Sequence, residues 1–410
     1  MDTFQNRKSR VRIRVRFADA QPVAGRTVHI CQKSHQFLFG CGGFDALKVP
    51  PAQEAGAAPS AEEQRLNAIF SFNNYATLPF YWGRYEPEEG KPEKALLTAA
   101  ARYFASRNIA VKGHPLCWHT VCAPWLMQYS NAQIFSKLLA RITREITDFK
   151  GLIDRWDVLN EGVIMPIFDK YDNALTRICK ERGRVRLIKE VFTAAKQANP
   201  QATLLLNDFN TTIEYELLLD GCLQAGAPID VIGIQSHQHQ GYWGKEKVAA
   251  VLERFSVFGL PLHFTENTLI SGELMPAHIV DLNDWQVESW ASTPEGEERQ
   301  KQQTVEMYEI LFAHPLVEAI TTWNPSDHAW LNAPAGFLRL DNSEKPVYSA
   351  LKHKIEKEWH TEEAVLTSAE GAVELEGFRG SYELSLAGTD KKAAFYIDGK
   401  NPVLEVYLPA

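Results

Sequence analysis

Residues 11 to 17, Val-Arg-Ile-Arg-Val-Arg-Phe, alternate apolar and basic without a break, which is the period of a strand with one buried face. A second β-like run at 26–31 follows the turn signal Ala20-Gln21-Pro22, so the two runs predict an antiparallel hairpin. The same character returns at the other end, where 372–375, 380–386, 393–397 and 403–408 are short runs separated by Gly, Asp and Asn. Neither end has enough apolar surface to stand alone, which predicts one small β-sandwich built from both. The expected organisation is a hairpin over 9–35, a central domain over 36–359 and the remaining sandwich strands over 360–410.

The central pattern is different. Apolar runs at 37–44, 76–82, 110–118, 156–161, 203–207, 231–237, 262–266 and 319–323 alternate with longer amphipathic segments at 93–107, 132–149, 174–198, 215–225, 245–258 and 297–313. Eight strands interleaved with helices predict an α/β fold, a (β/α)8 TIM barrel with its site at the C-terminal strand ends. A doubly wound sheet is the rival, but no Gly-rich phosphate loop follows any strand. Stretches 48–61 and 271–296 read as loops. The second carries Trp285 and Trp290, placed either to flank a cleft or to cover the barrel rim.

Composition narrows the partners. With 45% hydrophobic and 23% charged residues and a net charge of -8, the chain is an ordinary globular one with no attraction for nucleic acid. No run of eighteen apolar residues suggests a membrane span, and the first residues show no secretory h-region. Ten tryptophans offer flat faces for sugar rings beyond what packing needs. The cysteines at 31, 41, 117, 122, 179 and 222 show no zinc-ligand spacing and are expected as free thiols.

Polar residues gather where the strands should end: His114 and His119, Asn160 and Glu161, Asn207 and Asp208, Gln235, His237 and His239, Glu266 and Asn267, then Trp323 and Asp327. In a barrel these ends share one face, so Glu161 and Glu266 would look at each other across the mouth. Two such carboxylates suit glycoside hydrolysis, one as acid and base and the other as nucleophile. Two other readings stay open. His237-Gln238-His239 is an H-x-H that barrel metal-hydrolases use as ligands, although the further ligands are not evident, and a dead barrel could still present aromatic platforms to sugars.

The motifs resemble glycoside hydrolase family 10, the xylanase family, over most of residues 70 to 355. Trp156-Asp157-Val158-Leu159-Asn160-Glu161 is similar to W-D-V-x-N-E, and Gly113-His114-Pro115-Leu116-Cys117-Trp118-His119 to G-H-x-L-x-W-H. Gly233-Ile234-Gln235-Ser236-His237 is similar to a shortened G-I-G-x-Q-S-H, and Phe264-Thr265-Glu266 to the I-T-E strand. Thr322-Trp323-Asn324, Asp327 and Trp330-Leu331 match T-W-G-x-x-D-x-x-S-W-L in part, and Lys345-Pro346-Val347-Tyr348 resembles the K-P-A-Y that opens the last helix.

The resemblance implies a retaining hydrolase of β-1,4-xylosidic linkages in xylan or xylo-oligosaccharides, with no metal or organic cofactor in the chemistry. It implies Glu161 as acid and base and Glu266 as nucleophile. Asn160 would hold the sugar 2-hydroxyl, His237 would orient the nucleophile and Gln235 would assist. His114, Trp118, Trp323 and Trp330 would wall the subsite next to the scissile bond, with Trp82 and Tyr81 completing the substrate-binding set. The resemblance also implies an extracellular or periplasmic enzyme, and 377–382 resembles an addition of plant-type members.

Two departures stand out. The family's strand-two motif T-x-E-N-x-M-K-W supplies Glu, Asn and Lys to the second glycone sugar. Here Thr77, Leu78 and Tyr81 take those places, which implies a subsite that is apolar-walled, altered for a decorated sugar, or blocked, with a hydrolase of decorated xylan or an exo-like one as the alternative reading. Thr268 stands where the family has Asp, which removes a partner of His237.

Overall fold

The computed structural model describes residues 3–49 and 58–409, in two compact units. Part of the loop expected at 48–61 therefore lies outside the described residues. One unit gathers both ends of the chain, up to Leu38 and from Tyr348, together with Tyr308–Pro315, and the other holds Phe39–Met307 and Leu316–Val347.

In the first unit, β1 (Lys8–Arg16) and β2 (Thr27–His35) both alternate as expected: Val11, Ile13 and Val15 are buried from one, Val28 and Ile30 from the other. They are not a hairpin. Each belongs to a different sheet, because alternation specifies a buried face and not a neighbour.

The central unit is a closed barrel of β3 (Leu38–Gly42), β4 (Tyr75–Pro79), β5 (Ala110–His114), β6 (Arg155–Asn160), β7 (Thr203–Asp208), β8 (Val231–Gln238), β9 (Leu262–Leu269) and β10 (Val317–Thr322). All neighbouring pairs described are parallel. The intervening helices begin with α1 (Ala61–Ile69), α2 (Trp82–Tyr85) and α3 (Lys94–Ala105). After them come α4 (Asn131–Asp148), α5 (Ala174–Arg182), α6 (Arg184–Ala198), α7 (Ile213–Gln224), α8 (Gly244–Ser256) and α9 (Pro294–Ala313), and α10 (Pro346–His353) opens at the proline of Lys345-Pro346. This is the predicted (β/α)8 architecture.

Local chemistry explains most boundaries. Helix α4 carries the Ser130/Gln133 capping box, and α1 begins where the stretch expected as a loop ends, capped by Ser60, whose side chain accepts from the Glu63 amide. The single helix expected over 174–198 breaks at Gly183, whose φ of 82° leaves the right-handed region. The strand expected over 76–82 stops at Pro79, and that over 110–118 at His114.

The chain closes the first unit with β11 (Glu362–Leu366), β12 (Ala372–Phe378), β13 (Gly380–Leu386), β14 (Lys392–Ile397) and β15 (Val403–Tyr407). One sheet runs β12-β1-β15 and the other β11-β2-β13-β14. Tyr382, Leu384, Leu386, Val373, Leu375, Ile397 and Val406 join the inward residues of β1 and β2 in one apolar core. On the outer face of β1, Arg10, Arg12, Arg14 and Arg16 pair with Glu376, Glu374 and Glu405. Solvent screens such pairs, so the core carries the stability.

Candidate active site

Glu161 follows the last residue of β6 with φ of 59°, a left-handed conformation that a non-glycine residue adopts only when its surroundings hold it there. Its amide donates to the Asn207 carbonyl at 2.8 Å, and the next turn is tied to β7, where the Val163 amide donates to Asp208 Oδ2 at 3.0 Å. On the far side of the mouth, the pairing of β8 and β9 slips by one residue between Ile234 and Gln235, so that Glu266 lies opposite Gln235. Such a bulge redirects a side chain at the rim.

An amide relay connects the two carboxylates. Asn207 Nδ2 donates at 2.8 Å both to Glu266 Oε1 and to Asn160 Oδ1. Gln235 Nε2 donates to Asn160 Oδ1 at 3.1 Å and to Glu161 Oε1 at 3.3 Å, and Asn160 Nδ2 adds a bond to Glu161 Oε1 at 3.2 Å. Asn207 is itself fixed by the Thr265 hydroxyl, which donates to its Oδ1 at 2.6 Å. Gly233 makes this possible, since a Cβ there would lie 2.5 Å from Asn207 Oδ1.

The surroundings then separate the two acids. Glu161 receives the Trp118 indole N–H at 2.8 Å, and His119 Nε2 lies 3.8 Å away. Burial, with the charges of Asp208 and Glu266, outweighs these bonds and pushes Glu161 up to about 8. His119 is buried against Phe168, which lowers it to about 4, so it is a neutral neighbour. Burial also raises Glu266, but the charges of His114, His237 and Lys112 and the bond from His237 overcome it, leaving Glu266 below the usual carboxylate value. One acid therefore keeps its proton near neutral pH while the other is ionised.

Two histidines meet Glu266. His237 Nε2 is 3.1 Å from Oε2, and its Nδ1 is 3.3 Å from the Thr268 hydroxyl, which also lies 3.4 Å from His239 Nδ1. Thr268 thus remains a partner of His237 where the loss of one was expected. The Thr268 hydroxyl, which can both donate and accept, thus links His239 to His237, and His237 leads on to Glu266. His114 Nε2 stands 4.0 Å from Glu266 Oε1, while its Nδ1 is held 2.7 Å from Asp157. Lys112 reaches the same Asp157 oxygen at 2.7 Å with both side chains fully buried. Among the described residues no group of three metal-ligating side chains lying within 4.8 Å of one another includes both His237 and His239.

Aromatic rings frame the mouth. Tyr81 packs against His114 and Trp118, with ring centres 5.7 and 5.6 Å apart, Trp323 lies 5.2 Å from His114, and Trp330 lies 4.4 Å from His237. Phe44, outside the expected set, bridges Tyr81 and Trp323 at 6.2 and 5.4 Å. Trp82 is not in this group. It is buried beside Trp125 and Arg141, and its N–H donates to Glu86 at 3.1 Å.

The match of residues 76–354 to the model of glycosyl hydrolase family 10 decides the relationship. This chain belongs to glycosyl hydrolase family 10. An endo-1,4-beta-xylanase/feruloyl esterase of Xylanibacter ruminicola is 25% identical over 305 residues, 66% of this chain and 40% of the relative, so the chain spans only two-fifths of that protein's length. An endo-1,4-beta-xylanase of Geobacillus stearothermophilus is 26% identical over 269 residues, 60% of this chain and 75% of the relative. Xylanase 10B of Thermotoga petrophila, solved with xylobiose, shares the fold with a TM-score of 0.63 and 20% identity, covering 79% of this chain and 95% of that one.

Set against the family's strand-two motif, β4 changes one expectation. Leu78 is in register with Gly113, whose Cβ would lie 2.2 Å from Trp156. Two residues further on, Phe80 packs on that indole and on Phe149. Leu78 is therefore on the outer face of the barrel and walls no sugar site. Thr77, paired with Lys112, is on the inner face. Trp285 and Trp290 join a small cluster with Ile270, Met275, Ala333 and Ala335, so they cover the rim.

Lys112 is missed in the sequence, and what Asp157, Asn207 and Thr265 hold is not legible there although all three stand in the strand-end motifs or clusters. The readable signal for Lys112 is its position two residues before His114, hence on the same face of β5.

Proposed function

We propose that this family 10 chain is a retaining hydrolase of β-1,4-xylosidic bonds in xylan or xylo-oligosaccharides, with its chemistry in the barrel and the terminal segments 9–35 and 360–410 as an accessory sandwich. The observation that carries the reading is the pair of carboxylates joined through Asn207, one proton-bearing and one ionised. In the first step Glu266 attacks the anomeric carbon as the glycosidic bond breaks, and Glu161 gives its proton to the departing oxygen. Glu161, now a carboxylate, then takes a proton from water as that water displaces Glu266 and frees the sugar. His237 fixes the attacking oxygen, Asn160 is placed for the 2-hydroxyl, and Gln235 keeps Asn160 and Glu161 in register. His114, Trp118, Trp323, Trp330 and Tyr81 form the wall around the sugar. The substrate class follows from the family and from the xylanases it resembles.

A narrower second reading rests on Tyr81. Its ring, set among Phe44, His114 and Trp118, occupies the place of a polar anchor, which favours a decorated xylan or an exo-like attack on oligosaccharides. Proton NMR of the first-formed anomer and a product profile on linear and decorated xylo-oligosaccharides test both readings. Inversion at the anomeric centre would overturn the double displacement, and equal turnover of internal bonds in linear chains would remove the second reading.

A further inference from the structure

Away from the barrel, three metal-ligating side chains of the sandwich meet on one face. Cys31 of β2 and Glu362 of β11 are direct cross-strand partners. Because Ile30 points into the sandwich core, alternation turns Cys31 and Glu362 outward together. The backbone register alone therefore brings thiol and carboxylate side by side. His360, just ahead of β11, brings Nε2 to 3.9 Å from the Cys31 sulfur, and one donor atom from each of the three residues lies within 4.8 Å of the others.

The neighbours leave these donors available. Cys31 has a second acidic cross-strand partner, Glu383, but Lys33 and Lys392 neutralise it at 3.5 and 3.2 Å. Among the described residues no lysine or arginine forms an ion pair with Glu362. Cys31 and His360 are half-buried and Glu362 is exposed, leaving room for water on the solvent side.

We propose that Cys31, His360 and Glu362 bind one Zn2+, with water as the fourth ligand, and that the ion staples β2 to the segment entering β11. A thiolate, an imidazole and a carboxylate form a donor set that zinc accepts, and tetrahedral bonding sets sulfur and nitrogen about 3.6 Å apart. The observed 3.9 Å needs only a small closure. On binding, the thiol proton leaves to solvent and the sulfur–zinc bond replaces it. The site is separate from the glycosidase chemistry.

The test uses the full chain, stripped with a chelator and titrated with Co2+ as an optical probe, then with Zn2+ in competition. One equivalent of Co2+ should give a thiolate-to-metal charge-transfer band that Zn2+ abolishes. Cys31→Ser should remove the band and weaken Zn2+ binding at least about tenfold, and His360→Ala should weaken it similarly, while Cys122→Ser changes neither. Zn2+ should also raise the Tm of the wild type but not of Cys31→Ser. Unchanged circular dichroism and a cooperative melt of the metal-free variants establish that they fold. Absence of the band in the wild type, or unchanged Zn2+ affinity in Cys31→Ser, would overturn the site.

Discussion

Asn207 donates to Glu266 through the same amide nitrogen that it offers to Asn160, both at 2.8 Å. The side chain therefore sets Glu266, the proposed nucleophile, and Asn160, proposed for the 2-hydroxyl, in one frame. Asn207→Ala leaves a buried carboxylate without one of its donors, a loss of about 1–3 kcal/mol. We expect kcat/KM on an aryl β-xylobioside to fall roughly tenfold to a hundredfold with the circular dichroism unchanged. A change below about threefold would show that the relay does not act in the reaction.

Glu161 and Glu266 should fail differently. Glu266→Ala should abolish turnover on every substrate. Glu161→Ala should slow unactivated xylo-oligosaccharides by about 10²–10⁴ and spare the first step on aryl glycosides with good leaving groups, which then show a burst. Equal loss on both substrate types would contradict the assignment of Glu161 as the acid.

The pH profile carries the next prediction. Glu161, raised by burial and by Asp208 and Glu266 to about 8, must be protonated to act, so kcat/KM should fall as pH rises through that value. The groups facing it are Trp118, His119, Asn160, Gln235, Asp208 and Glu266. Asp208→Asn removes a like charge and should move the alkaline limb to lower pH. An unmoved or raised limb would contradict the coupling.

Stability has the corresponding sign. Folding favours protonated Glu161, so that contribution is complete below the ordinary carboxylate pKa and is lost as pH rises through about 8. Glu161→Gln should therefore stabilise the protein at pH 9, by at least about 1 kcal/mol, and do little at pH 4. Thermal melts at the two values decide it.

The two faces of β4 predict opposite outcomes. Thr77→Glu places an acid on the inner face and should raise activity on linear xylo-oligosaccharides if the missing anchors narrow specificity. Leu78→Asn buries an amide on the outer face and should cost about 2–5 kcal/mol in stability with no gain in activity. Improved turnover in Leu78→Asn would show that its side chain reaches the sugar.

Much of the site could be read because barrel strands are short apolar runs with function at their ends. Glu161 and Glu266 each follow such a run, and their motifs carried the assignment. Asn207 and Asp157 were visible as polar residues, yet what they hold depends on register between strands, which sequence spacing does not give. Leu78 was misplaced because a motif aligns positions without stating which face of a strand each occupies. The β1–β2 hairpin failed for a related reason: a period of two names the buried side and leaves the pairing partner open. Cys31 and His360, 329 positions apart, could not be joined by any spacing rule.

The crossed pairing of the sandwich also bears on the order of synthesis. Among the described strands β1 pairs with β12 and β15, and β2 with β11 and β13. At about 5–20 residues per second, a ribosome needs tens of seconds to pass from β2 to β11, and the whole barrel is made in that interval. Until then Val11, Ile13, Val15, Val28 and Ile30 have no sheet to close over them. The growing chain therefore carries two unsatisfied strands ahead of the barrel, and their protection waits on strands translated after it.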